Sequence, residues 1–195
     1  MLTNKEKRVV DTYNRLARTG DMLGRALWVD DFTRGIYSRL PTPNRVVDVG
    51  CGSGRFIPLL EDLGIEGYLG VEPAVEQIKV TRQTHPSYEF VEGSIYSLGA
   101  TYPQAFDGFI LVTVLMHIQR SRLGVALTSL RACLKVGAVG FVSTPGGGGK
   151  RMGEFGLPLT CYTEHELDVA LIQHGFEITD SCIVNSMVQR GVCAV

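Results

Sequence analysis

Three glycines at alternate positions, Gly50, Gly52 and Gly54, follow the strand-like stretch Val46-Val47-Asp48-Val49 and precede Arg55 and Phe56. A loop that lacks a side chain at every second residue lets backbone approach a ligand closely and adopt positive φ. Its free amides and the start of the next helix favour negative or polar groups. Cys51, set among these glycines, reads as a small packing residue of the same loop. Asp48 stands at the strand end, where a carboxylate either supports a ligand-binding loop or merely caps neighbouring amides. Glu72 closes the next apolar run, residues 68–71, and is followed by Pro73, at the distance expected for the carboxyl end of an adjacent parallel strand. There a carboxylate can accept hydrogen bonds from two ribose hydroxyls; the alternative is an exposed turn acid before a helix-opening proline. The guest this pattern suits is a nucleotide-like small molecule.

The spacing narrows the choice of nucleotide. A dinucleotide fingerprint, G-x-G-x-x-G, counted from Gly50 puts Arg55 where the third glycine must allow close helix–strand packing, so a nucleotide-dependent oxidoreductase fits poorly. The pattern that fits is acid-x-Gly-x-Gly-x-Gly, from Asp48 to Gly54, with an acid ending the second strand, and in this the chain resembles the class I S-adenosylmethionine-dependent methyltransferases. Residues 106–112 look like that family's fourth strand, 114–118 like its post-strand segment, and Leu134-Lys135-Val136-Gly137 like the turn before its fifth strand.

The resemblance implies S-adenosylmethionine as cofactor, with Asp48, Gly50, Cys51, Gly52, Gly54, Glu72 and Pro73 around its ribose and amino-acid parts. It puts Ser94 where many relatives carry an aspartate facing adenine, and Ile95 against the ring, although an ordinary turn serine fits as well. Thr113 matches a position near the cofactor's amino-acid part, or simply ends a strand. His117 matches a histidine near the acceptor, a general base or positioning group; the other reading is a packed core histidine. Tyr13 and Trp28 could fold over the donor or acceptor from the N-terminal region, but aromatics at such spacing also pack cores, as Tyr162 could, and His165 is a bet of the same kind.

Methyl transfer asks little of a protein beyond holding donor and acceptor in line, which can supply roughly 7–11 kcal/mol, so the lack of a catalytic triad excludes nothing. Residues 113–116 lack the Asn-Pro-Pro-Tyr type sequence with which enzymes methylating nucleic-acid bases or protein glutamine grip a planar amide. The expected acceptor is therefore a small molecule. The rivals are an aminopropyl transferase and a non-catalytic S-adenosylmethionine-binding protein, since fold alone does not establish chemistry.

Around these residues the chain alternates strand and helix. Thr3-Asn4-Lys5-Glu6 is a capping box opening a helix with Val9, Val10, Tyr13, Leu16 and Ala17 at helical spacing. Gly20 and Gly24 break it, a less regular stretch runs through Trp28 and Phe32, and Pro41-Thr42-Pro43 stops it. Strands are predicted at 46–49, 68–71, 88–92, 106–112 and 138–143, and helices after the glycine loop, at 74–83 and at 121–134. A Gly146–Gly149 run fails the phosphate-loop pattern and reads as a mobile loop. Thr163-Glu164-His165-Glu166 opens a helix that ends at Gly175, and segments 176–184 and 187–195 pair antiparallel.

The expected architecture is α/β: a Rossmann-like doubly wound sheet, mostly parallel with a C-terminal antiparallel strand, helices on both faces. Its 195 residues, 45% hydrophobic, form one domain, with an N-terminal helical cap (1–40), a cofactor-binding core (44–145) and a substrate-side loop, helix and closing strands (146–195). A net charge of −1 points away from nucleic acid. Five cysteines without C-x-x-C pairing suit a reducing cytoplasm and suggest neither disulfide nor zinc, and no run suggests a signal peptide or membrane span.

Overall fold

The computed structural model describes residues 1–19, 30–39, 44–65, 67–153 and 155–195, and for 30–33 the backbone only. Trp28, the Gly20 and Gly24 breaks and the Pro41-Thr42-Pro43 stop lie outside the described residues, as does the side chain of Phe32.

Strands β1 (Arg45–Val49), β2 (Gly67–Glu72), β3 (Glu89–Glu92), β4 (Phe106–Val112) and β5 (Leu134–Pro145) are joined by helical crossovers into a parallel sheet. Beyond β5 the chain adds β8 (Phe176–Val184) and β9 (Met187–Ala194), a hairpin whose second strand runs antiparallel to β5. The order β3-β2-β1-β4-β5-β9-β8 is that of a doubly wound sheet with a reversed strand next to one edge. The expected fold class is thus observed.

Because side chains alternate across a strand, the apolar strands feed two cores. Val47, Val49, Phe109 and Leu111 pack with α6 (Leu123–Cys133) and α7 (Glu164–Gln173); Val46, Ile110 and Phe141 pack with α2 (Asp30–Tyr37), α3 (Ile57–Asp62) and α4 (Val75–Thr84). Helix α1 (Asn4–Thr19) stands apart from both. Its capping box is formed, with Thr3 N–H donating to Glu6 Oε2 (2.7 Å) and Glu6 N–H to Thr3 Oγ1 (3.3 Å). It crosses α4, whose Glu76 N–H donates to Asn14 Oδ1 at 2.9 Å.

Two expectations need correction, and one element is new. The stretch around residue 32 is helical over Asp30–Tyr37, and α2 belongs to the core beneath the sheet: Ile36 and Tyr37 are buried and the Tyr37 hydroxyl donates to the Phe109 carbonyl. The residues after the Gly146–Gly149 run are not a free loop. Gly146 N–H donates to Ser186 O (2.8 Å), Cys161 N–H to Gly149 O (3.0 Å), and β6 (Lys150–Met152) pairs with β7 (Pro158–Thr160). Helix α5 (Leu98–Thr101) was not anticipated; it is one turn long, too short for a periodic signal.

Gly140 sits in β5 where a Cβ would lie 2.0 Å from the Phe109 ring, which is itself wedged against Phe176 at a centroid distance of 5.7 Å. Gly140→Ala is expected to destabilise the protein by about 1–3 kcal/mol or more through overpacking, read as a lower denaturant midpoint at unchanged slope.

Candidate active site

The sheet order reverses direction on either side of β1, and the crevice outside the carboxyl ends of β1, β2 and β4 is where such sheets bind ligands. The glycine loop lies there, already folded. Gly50 and Cys51 N–H both donate to Val71 O (2.7 and 3.3 Å), Gly52 N–H to Glu72 Oε2 (3.2 Å) and Gly54 N–H to Cys51 O (3.0 Å). From below, Thr81 Oγ1 donates to Gly52 O at 2.6 Å. These four amides are spent inside the protein, which corrects the expectation that they stand free for a ligand. The loop contributes close backbone surface instead: Gly50, Gly52 and Gly54 all have positive φ, and a Cβ on Gly50 would meet Val114 at 2.5 Å.

One carboxyl holds this loop, and a second lies buried behind it. Glu72, only 7% exposed, accepts from Gly52 N–H through one oxygen and from Ala74 N–H through the other (2.9 Å), which leaves lone pairs on both oxygens for the cavity it lines. Asp48 lies behind the loop, accepts from the Tyr68 hydroxyl at 3.1 Å, and does not line the cavity. Burial pushes both groups up to about 7, partly offset by the backbone bonds at Glu72 and by Arg55 near Asp48.

The cavity has a volume of about 590 Å³. Gly50, Cys51, Gly52, Glu72, Pro73, Ser94, Ile95, Thr113, Tyr13 and His117 all line it, so ten of the predicted site residues share one space. Asp48 and Gly54 do not; Gly54 faces Ile57, Thr81 and His85 and serves loop packing. Tyr162 is buried in the core and His165 is exposed on α7, both away from the cavity wall.

Arg55 also lines the cavity, and motif reasoning missed it. It was weighed only as a failed glycine, although a long cation at the end of a ligand loop is itself a signal. Its guanidinium donates to Thr113 Oγ1 (3.4 Å) and stacks on Phe56; the residue is exposed at the cavity mouth, yet the protein around its guanidinium displaces enough water to lower its pKa, and among the described residues it has no carboxylate in ion-pair contact. Thr113 is held at φ 61°, a costly conformation for a β-branched residue, by its N–H donating to Ser143 O and its hydroxyl to Val112 O.

Above the opposite wall, α1 carries Tyr13, whose hydroxyl lies 2.9 Å from His117 Nε2, the rings meeting edge to face. His117 ends the 3₁₀ turn Leu115–His117 that follows β4. Burial and then Lys5 push its imidazole down to about 4, and burial pushes Tyr13 up to about 12, so both are uncharged at neutral pH. The end of α1 is fastened by Glu6, whose carboxylate takes up Arg122, the Tyr96 hydroxyl and Thr3 N–H.

A family model described as a methyltransferase domain matches residues 24–181. No curated protein matches the sequence. Among solved structures the chain is similar to Burkholderia thailandensis 1,6-didemethyltoxoflavin-N1-methyltransferase, which holds 1,6-didemethyltoxoflavin and S-adenosylhomocysteine, at 18% identity over 100% of this chain and 92% of that one (TM-score 0.79). Magnesium protoporphyrin IX methyltransferase of Synechocystis PCC 6803, with bound S-adenosylmethionine, is similar at 15% identity over 100% and 99% (TM-score 0.72). The 4+2 cyclase SpnF matches at 22% identity over 93% and 76% (TM-score 0.73). At these identities the likeness is one of fold.

Two acids raised above their unfolded values of 3.8 and 4.5 to about 7 bind more protons folded than unfolded between those limits, so stability is greatest below about pH 4 to 5 as far as they contribute and is lost as pH rises through 7. The melting temperature of the ligand-free protein is therefore expected to fall between pH 5 and pH 8 in a scanning fluorimetry series. Asp48→Asn is expected to make that slope shallower.

Proposed function

The chain belongs to the methyltransferase domain family, and we propose that it transfers a methyl group from S-adenosylmethionine to a small organic molecule held in the same cavity. The observation that carries the reading is the position of Glu72: a buried carboxylate at the carboxyl end of β2 that fixes the glycine loop and keeps lone pairs toward the cavity. Because the fold also carries a cyclase, the chemistry has to rest on the site.

The residues present fit the donor. Glu72 suits a ribose diol, Gly50 and Gly52 allow close approach, and Ser94 and Ile95 suit an adenine edge and face. Arg55, which lines the cavity and among the described residues has no carboxylate in ion-pair contact, suits the amino-acid carboxylate, and Thr113 orients it. Bound there, S-adenosylmethionine supplies a methyl group already activated on a sulfonium. The protein's own work is to hold, orient and exclude water.

Of the donor and acceptor sides that the sequence leaves open for Tyr13, the acceptor side fits better, since its hydroxyl is paired with His117. The low basicity of His117 and the occupation of its Nε2 favour positioning over proton abstraction. A small acceptor is supported by the limited volume of the cavity beside α1 and Phe155, about 590 Å³, and by relatives whose names specify 1,6-didemethyltoxoflavin and magnesium protoporphyrin IX. A nucleic-acid acceptor is disfavoured by a net charge of −1 and by Arg55 being the lone Lys or Arg among the described lining residues. Among the described residues no helix is long and apolar enough to cross a membrane. Five free cysteines suit a reducing cytoplasm.

Glu72→Ala is expected to weaken S-adenosylmethionine binding by ten- to a hundredfold in calorimetry, the worth of one or two charged hydrogen bonds; unchanged affinity would refute the assignment. Arg55→Gln is expected to lose about tenfold for S-adenosylmethionine and little for 5′-methylthioadenosine, which lacks the carboxylate. His117→Ala is expected to lower turnover of labelled donor with the true acceptor while donor affinity stays within about twofold. Full activity in that variant would remove His117 from the acceptor site.

A further inference from the structure

The cavity's charges are spoken for before an acceptor enters. Among the described residues, the wall carries three charged side chains, Glu6, Arg55 and Glu72. Glu6 is neutralised in place: Arg122 pairs with it, and the Tyr96 hydroxyl and Thr3 N–H take two further acceptor positions. Glu72 and Arg55 both stand at the glycine-loop end, on the diol and carboxylate of the donor in the reading given above, on which this inference rests. Away from the glycine loop the wall is largely apolar, with Leu2, Val9, Val10, Ile118 and Phe155 beside Tyr13, Tyr96 and His117, while the uncharged polar Ser53, Ser94 and Thr113 lie on the donor side.

A charged acceptor pressed against that wall would give up its water without gaining an oppositely charged partner of its own. A cation would also meet the donor's sulfonium, and an anion would compete with the donor for Arg55. One polar feature remains free of charge, the Tyr13 hydroxyl and His117 Nε2, 2.9 Å apart. With its proton given to Nε2, the Tyr13 oxygen still has lone pairs to accept an O–H or N–H; with the imidazole in the other tautomer, the hydroxyl proton is free to donate. The aromatic rings of Tyr13, His117 and Phe155 bound this space, and a cavity of about 590 Å³ shared with the donor leaves room for something compact.

We infer that the acceptor is an uncharged, flat, largely apolar molecule that presents a hydroxyl or ring N–H to the Tyr13–His117 pair. The neutral pair selects against ions, and the hydrogen bond selects among neutral molecules.

The test uses the full chain loaded with S-adenosylhomocysteine at pH 7.5 and three probes of one shape: 2-naphthol (neutral), 2-naphthoate (anion) and 2-naphthylmethylamine (cation), titrated by calorimetry. The expected result is that 2-naphthol binds about tenfold or more tightly than either ion. Naphthalene is expected to bind about fivefold more weakly than 2-naphthol, and Tyr13→Phe is expected to erase that difference while S-adenosylhomocysteine affinity stays within about twofold. A merely structural role for Tyr13 would lower both affinities together and leave their ratio. Failure of S-adenosylhomocysteine to bind removes the donor reading and this inference with it. If it binds, equal or tighter affinity for either ion, or no saturable binding of any probe, overturns the inference alone.

Discussion

One buried carboxylate organises the ligand end of the sheet. Glu72 ends β2 and bonds forward to Ala74, so that α4 begins in register, and sideways to Gly52, so that the loop after β1 closes against its neighbour strand. Burying such a group is unfavourable, and its raised pKa reports that cost. Two backbone amides repay part of it, and lone pairs left toward the cavity are available to a diol that would repay more. A site that is least comfortable empty gains most from its ligand, and Asp48, buried behind the same loop, adds to that tension.

The roof over the site obeys a different logic. Helix α1 contributes little to either main core; its small apolar contact is Val9 with Leu157 and Leu159. Polar bonds locate it instead. The Glu6 that completes its capping box also receives Arg122 and Tyr96, Gln119 donates to Thr3 Oγ1 (2.9 Å), and Asn14 accepts from the first turn of α4. A helix placed by directional bonds rather than by buried area is set precisely in angle and register, and this puts the Tyr13 hydroxyl on His117. Those same bonds break at modest cost because water can replace each of them, whereas an apolar interface of similar strength would not reopen so readily.

The parts of this arrangement that sequence revealed are the parts whose causes are local. The parallel strands are continuous apolar runs, both capping boxes are read within four residues, and the acid-glycine pattern carries its own backbone requirement. What escaped depends on distant partners. Residues 30–37 show too short a pattern to declare a helix, and α2 is stabilised by Tyr37 reaching β4, 72 residues away. The Gly146–Gly149 run has the composition of a free loop, yet Ser186 and Cys161 tie it from far along the chain. The cavity wall was legible as a set of residues but not in its pairings: Tyr13 and His117 are 104 residues apart, and no spacing in the sequence announces their hydrogen bond.

Arg55 shows how a motif can conceal as well as reveal. Against the dinucleotide template it is a defect, since a third glycine there would let the helix approach the strand. Here α3 starts only at Ile57, with Phe56 in helical conformation but offering no side-chain cap, so the crowded approach that demands glycine never occurs. The position is released to carry a long side chain, and the guanidinium turns onto Phe56 and toward Thr113 at the cavity wall. Starting the helix at Ile57 thus exchanges a tight helix–strand contact for a cation at the cavity wall. The geometric rule that excludes two joined nucleotides and the electrostatic feature that suits a carboxylate-bearing donor then have the same origin, the path of the chain between Gly54 and Ile57.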